Sequence, residues 1–170
     1  MSSITVKVND RQVLDTINRL SAKVKNLRPA LAEIGEDMVE VTKLRFDTAT
    51  GPDGKAWKSN SPVTIDRYLG IFKSSYKKDG SLSKPGAARA TNKKPLTGET
   101  GALKTTINYQ TSAQGVSWGS PMVYAAMQQF GGTKASFPNL WGNIPARPYL
   151  GVSPADKTQI LDILNDYFAK

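Results

Sequence analysis

The sequence predicts an α+β domain, and three observations carry that reading. Apolar residues recur at three- and four-residue spacing at both ends of the chain, over 13–41 and 160–168, which is the mark of helices with one buried face. Between them, two short runs alternate apolar and polar residues on either side of Ser112-Ala113-Gln114-Gly115, the pattern of an antiparallel hairpin. The remainder is punctuated connection: 14 glycines and 10 prolines in 170 residues favour a small core with long loops over an idealised helical bundle. A chain of this length forms one domain, here 1–170, and can bury a real core.

Taken in order, Ile4, Val6 and Val8 alternate with Thr5 and Lys7 and predict a short strand. Asp10 then caps a helix whose Val13, Ile17, Leu20 and Val24 share a face. Arg28-Pro29 breaks it and starts a second helix carrying Leu31, Ile34, Met38 and Val41, so the two are expected to pack as an N-terminal hairpin. The far side of the second helix holds Glu33, Glu36, Asp37 and Glu40. Carboxylates one turn apart could share a divalent ion, but oxygen-ligand sites draw on several elements, so a solvated or partner-facing acidic patch is the simpler reading. Residues 48–58 form a turn carrying Trp57, and Ser61-Pro62 starts a short helix through Ile65, Tyr68, Leu69 and Phe72. The stretch 74–92 is rich in Lys, Ser and Gly, with Tyr76 and Leu82 nearly its only large apolar residues, and predicts a long, mobile basic loop insertion. Residues 95–101 lack the Gly-Lys-Ser/Thr ending of a phosphate loop and read as a turn into a short helix around Ala102. Thr105-Ile107-Tyr109 and Val116-Trp118 supply the hairpin of a small sheet. After Pro154, Ile160, Ile163, Leu164, Tyr167 and Phe168 line one side of a C-terminal helix.

Composition narrows function. The chain has no cysteine and no histidine, which removes disulfides, thiol nucleophiles, Ser-His-Asp triads and ordinary zinc sites. No catalytic set remains, and neither enzyme activity nor a cofactor is expected. No run is long and apolar enough for a membrane helix, and the N-terminus has no signal-peptide pattern, which predicts a protein used in a cytoplasm. The formal charge is +9, of which +7 lies within residues 51–98. Such a block suits either polyanion contact or a solvated loop.

The most distinctive stretch is 124–151, YAAMQQFGGTKASFPNLWGNIPARPYLG. Tyr124, Met127 and Phe130 predict one face of a short helix that Gly131-Gly132 terminates. A loop with Phe137 and Trp141 follows, and then Pro145 and Pro148 flank Arg147, holding the backbone extended and the guanidinium on a fixed bearing. Upstream stand Phe46, Gly51-Pro52-Asp53-Gly54-Lys55-Ala56-Trp57, Pro95-Leu96-Thr97-Gly98 and Gly101-Ala102-Leu103. In this order the motifs resemble the virion morphogenesis (tail completion) proteins of Mu-like tailed phages, from about Phe46 to the C-terminal helix. One position departs: Gln128 stands where that family usually has histidine.

The resemblance implies a structural protein of tail completion and head–tail joining, at the neck or head-proximal tail end of the virion and in the host cytoplasm during assembly. It implies other phage neck and tail proteins as partners and a homo-oligomeric ring, with six subunits as one candidate stoichiometry. Interface candidates are Phe130, Trp141, Arg147 and Tyr149, with Lys77, Lys78, Lys84, Arg89, Lys93 and Lys94 of the basic stretch. Phe130 and Tyr149 are equally core candidates, and Arg147 could instead bond a helix C-terminus or a carboxylate such as Glu99. The alternative function is a DNA-contacting basic protein, or an assembly factor not retained in the virion. Non-specific DNA contact fits the charge, whereas the three tryptophans are not interleaved with lysines as a stacking platform requires.

Overall fold

The computed structural model describes residues 11–113, 115–140 and 142–169. Its centre is helix α2, Arg28–Thr48, which begins with Pro29 in its first turn and ends where Ala49 turns left-handed, φ 55°. Ala30, Ile34, Met38, Thr42, Arg45 and Phe46 are its buried face. Against that helix pack β1 (Asn108–Thr111), β2 (Val116–Gly119) and the C-terminal helix, Pro154–Ala169. The two strands form an antiparallel pair in which Asn108 faces Gly119 and Thr111 faces Val116. Close approach of α2 to the sheet requires Gly35, since a Cβ there would lie 2.3 Å from the Tyr109 ring.

Two apolar clusters result. Ile34, Met38 and the C-terminal helix residue Ile163 meet under Val116 and Trp118. Phe46, Trp57, Leu103, Ile107, Ala125 and Tyr149 form the other. In it Phe46 packs edge-on to Trp57 and tilted to Tyr149, both with ring centroids 5.3 Å apart. Each such fully buried side chain contributes about 1.5–3 kcal/mol relative to exposure. Ser153 starts the C-terminal helix reciprocally: its hydroxyl accepts from the Asp156 amide at 3.1 Å, and the Asp156 carboxylate accepts from the Ser153 amide at 2.7 Å.

The α+β class, the small antiparallel sheet and the terminal helices are therefore present. The predicted strand at Ile4–Val8, the Asp10 cap and Trp141 lie outside the described residues. Helix α1, Arg11–Lys25, forms where its spacing predicts, but its apolar stripe is not buried in a hairpin with α2. It has no buried residue. Instead its C-terminal end is tied to the C-terminal helix: the Lys23 ammonium donates to the Tyr167 carbonyl at 2.9 Å, and the Tyr167 hydroxyl donates to the Asn26 carbonyl at 2.5 Å.

The basic stretch is also not a structureless loop. Helix α3, Pro62–Gly70, is followed by a 3₁₀ turn at Lys73–Ser75, an isolated bridge between Tyr76 and Leu82, and helix α4, Lys84–Asn92. Ser83 caps α4 by accepting from the Gly86 amide at 3.1 Å, and Pro85 stands in its first turn. These elements pack on one another as a small lobe. Gly86 permits it: a Cβ there would lie 2.0 Å from the Ser75 carbonyl oxygen. Two cations complete the packing, Arg89 over the Phe72 ring at 4.5 Å and Lys93 over Tyr68 at 4.3 Å.

Candidate functional site

The 124–151 motif folds into a short helix, α6 (Ala125–Phe130), an excursion, and an extended return along it. The preceding four-residue helix α5, Ala102–Thr105, supplies Leu103 beneath. Gly131 turns the chain at φ 74° and lies against the returning segment, where a Cβ would meet the Ala146 nitrogen at 2.6 Å. Gly132 and Ile144 then exchange backbone hydrogen bonds of 2.9 and 2.8 Å. Gln129 acts as a clip: its Oε1 accepts from the Tyr149 and Leu150 amides at 2.9 and 3.0 Å, and its Nε2 donates to the Leu150 carbonyl. The Arg147 amide donates to the Gln128 carbonyl at 2.9 Å. A backbone without a full sheet partner is thus held by the Gln129 side chain together with backbone bonds to Gly132 and Gln128.

Both prolines matter to what happens next. They hold 145–150 extended, so alternate side chains point to opposite sides. Arg147 and Tyr149 point inward and are buried; Ala146 and Pro148 are exposed. Arg147 donates from Nε to the Lys58 carbonyl at 2.7 Å and from Nη2 to the Ser59 carbonyl at 2.9 Å. It therefore grips neither Glu99 nor a helix C-terminus but the extended chain leading into α3, fastening the lobe to the body. Burial pushes its pKa down from the ordinary guanidinium value. The Tyr149 hydroxyl donates to the Ala125 carbonyl at 3.3 Å, and burial, with Tyr124 nearby, raises its pKa. The Trp57 indole donates to the Pro148 carbonyl at 2.7 Å, joining the upstream glycine-rich motif to the same extended segment.

Sequence reasoning missed the residue at the middle of this network. Arg45 is 6% exposed; it donates from Nη1 to the carbonyls of Tyr149 and Gly151 at 2.9 Å each, and from Nη2 to Asp156 at 2.5 Å. One guanidinium thereby ties α2, the extended motif segment and the start of the C-terminal helix. The signal was available: Arg45 lies on the same face as Ile34 and Met38, where an unpaired cation would be costly.

The other candidates divide by exposure. Phe130 is 77% exposed, in company with Val123, Tyr124 and Phe137, whereas Met127 of the same stripe is half-buried beside Gly132 and Ala125 is the residue α6 buries. Lys77, Lys78, Lys84 and Lys94 are exposed, while Arg89 and Lys93 are half-buried on aromatic rings. Burial lowers the Lys93 pKa, against the opposing influence of Glu99. A cleft of about 740 Å³ runs between lobe and body, lined by Lys93, Lys94, Glu99, Tyr124, Gln128 and Arg147. Gln128 thus presents an amide, not a titratable ring, to this cleft.

Among the described residues no group of three or more Asp or Glu side chains is placed to hold a metal ion. Asp37 comes nearest to special electrostatics. Burial, then Asp156, Glu40 and Glu33, raise its pKa, and its Oδ2 is buried without a hydrogen-bond partner.

These features define an α+β domain whose signature motif is an extended segment clamped by Arg45, Gln129 and Arg147. The chain belongs to the phage virion morphogenesis family, which it matches over residues 8–169. It is also 44% identical over 46 residues to the putative capsid assembly protein G of Escherichia phage Mu, a match covering 27% of this chain and 29% of that protein. No solved structure matches it. No helix among the described residues is long and apolar enough to cross a membrane.

Proposed function

We propose that this virion morphogenesis protein acts in tail completion and head–tail joining, at the neck or head-proximal end of the tail, as an oligomeric ring in contact with other neck and tail proteins. The family match across nearly the whole chain carries this reading. The structure supports it in kind. The most distinctive residues, Arg147, Tyr149 and Gln129, are occupied in holding one rigid surface together, which leaves Phe130, Val123 and the lysine-bearing lobe facing outward. Exposed apolar side chains of that size suit a surface that becomes covered on assembly. The test is the composition of purified particles. The chain should be retained in mature virions and localise by electron microscopy to the head–tail junction, and particles made without it should accumulate as separate heads and tails. Its absence from finished virions would favour a transient assembly factor, and normal particles without it would sink the proposal.

A second reading rests on the exposed Lys77, Lys78 and Lys84 of the lobe, which could touch DNA passing a neck. A fluorescence titration at physiological salt should then show weak, sequence-independent binding that steepens as salt falls. Tight binding at that salt would make DNA a principal partner.

A further inference from the structure

Helix α1 carries an apolar stripe of which no residue is buried among the described residues. Leu14, Ile17, Leu20 and Val24 are 37–60% exposed, and Arg11, Lys23 and Lys25 flank the stripe. On the body, α2 and β1 enclose a groove of about 530 Å³ with the complementary character. Val39 and the buried Ile107 give it an apolar lining, the exposed Glu36 and Glu40 outnumber Lys43 among its charged residues, and the Tyr109 hydroxyl donates a hydrogen bond to Glu36. Apolar faces apolar, and a basic helix faces an acidic groove.

A chain cannot seat its own α1 there. Glu36 and Glu40 lie on the side of α2 opposite Ile34 and Met38, by helical geometry, and Ile34 and Met38 are covered by the C-terminal helix. The end of α1 is fastened to that same C-terminal helix through Lys23, Tyr167 and Asn26. We propose that α1 of one copy docks in the α2–β1 groove of a second copy. The donor surface and the acceptor surface differ, so the contact is head-to-tail, and repetition closes a ring if the rotation allows. This rests on the self-associating reading above and names the surfaces that would produce it.

Because the chain contains no cysteine, introduced thiols report the contact cleanly. Two single variants, Ile17→Cys on α1 and Asn108→Cys at the groove, are mixed and treated with a short bismaleimide. The mixture should give a cross-linked dimer at least fivefold above either variant alone, and the double variant in one chain should give a ladder. Glu36→Lys/Glu40→Lys, checked for native circular dichroism, should raise the concentration for half-assembly in sedimentation at least tenfold, equivalent to about 1.4 kcal/mol per contact. Oligomers that form without the 17–108 cross-link would overturn the docking and leave the ring reading standing. A monomer at every concentration would defeat both. Cross-linking by Ile17→Cys alone would replace the groove with a symmetric α1–α1 pair. Binding to phosphatidylserine vesicles that is lost in Ile17→Glu would assign the stripe to a lipid surface instead.

Discussion

Gly35 and Gly86 do the same job in two very different parts of the molecule. In the body, Gly35 lets α2 settle on the Tyr109 ring, beside clusters that bury Met38, Phe46, Trp57 and Tyr149. In the lobe, Gly86 lets α4 settle on the Ser75 backbone, where Leu69 is the one fully buried large side chain among the lobe's described residues. The body has apolar area and a buried charged network; the lobe has caps, a close backbone contact and two cations on rings. Its packed neighbours are its own elements, and Arg147 and the lysine pair at 93–94 attach it to the rest. Stability should therefore be graded, with the body holding the fold and the lobe opening at lower cost.

Arg45→Ala should break the body most completely. It strips Asp156 of its cation at a site 6% exposed and leaves the Tyr149 and Gly151 carbonyls without their donor. Breaking a buried pair from one side typically costs about 3–5 kcal/mol. Denaturant unfolding should show that loss as a single global transition, and a change under about 1 kcal/mol would mean the network is not the keystone.

The paired glycine variants sharpen the contrast. Gly35→Ala forces a methyl into an aromatic ring and should lower global stability by about 1–3 kcal/mol. Gly86→Ala meets rigid backbone and should cost the lobe its packing while the melting temperature of the body barely moves. Limited proteolysis separates the two: cleavage within 74–92 should rise sharply in Gly86→Ala and stay near wild type in Gly35→Ala under native conditions. Equal cleavage in both would mean body and lobe unfold together.

The same contrast explains what could be read from sequence. The second and last helices were legible because burial imprints a period: Ile34 and Met38, or Ile160, Ile163 and Leu164, recur as a packed face must. The hairpin was legible in outline, but its first strand starts at Asn108, and Thr105, read as its beginning, instead ends α5. Helix α1 shows the limit of that signal, since a stripe identifies an apolar face without saying whether the same chain covers it. Helix α4 was illegible for the opposite reason: Lys84–Asn92 packs through glycine and alanine and leaves no apolar stripe. Its start was nonetheless written in Ser83-Lys84-Pro85, akin to Ser61-Pro62 and Ser153-Pro154 ahead of α3 and the C-terminal helix. At the site, the prolines around Arg147 correctly signalled a fixed bearing, but its partners are backbone carbonyls, which no side-chain inventory can reveal. Arg45 went unread because a lone cation on an apolar face looks like an interruption until its partners, more than a hundred residues away, are in place.

The smallest effect separates body and lobe by the sign of a proton linkage. Asp37 in the body has its pKa raised above the ordinary 3.8 by burial and by Asp156, Glu40 and Glu33. Asp79 in the lobe has its pKa lowered by the hydroxyl and amide of Ser81. For Asp37 the folded state binds the proton more tightly than the unfolded chain, so its ionised form weighs against folding at neutral pH and that burden lifts as pH falls through the raised value. For Asp79 the contribution is favourable above the unfolded carboxylate pKa and fades as pH falls. Asp37→Asn should therefore raise the melting temperature at pH 7, and the gain over wild type should shrink steadily on acidification and vanish below about pH 3.8, once wild-type Asp37 is itself neutral. Asp79→Asn should do the reverse, loosening the 76–82 turn at pH 7 and becoming indistinguishable from wild type in acid. A gain for Asp37→Asn that is independent of pH would show that the side chain's shape, not its charge, is what the interface between α2 and the C-terminal helix resists.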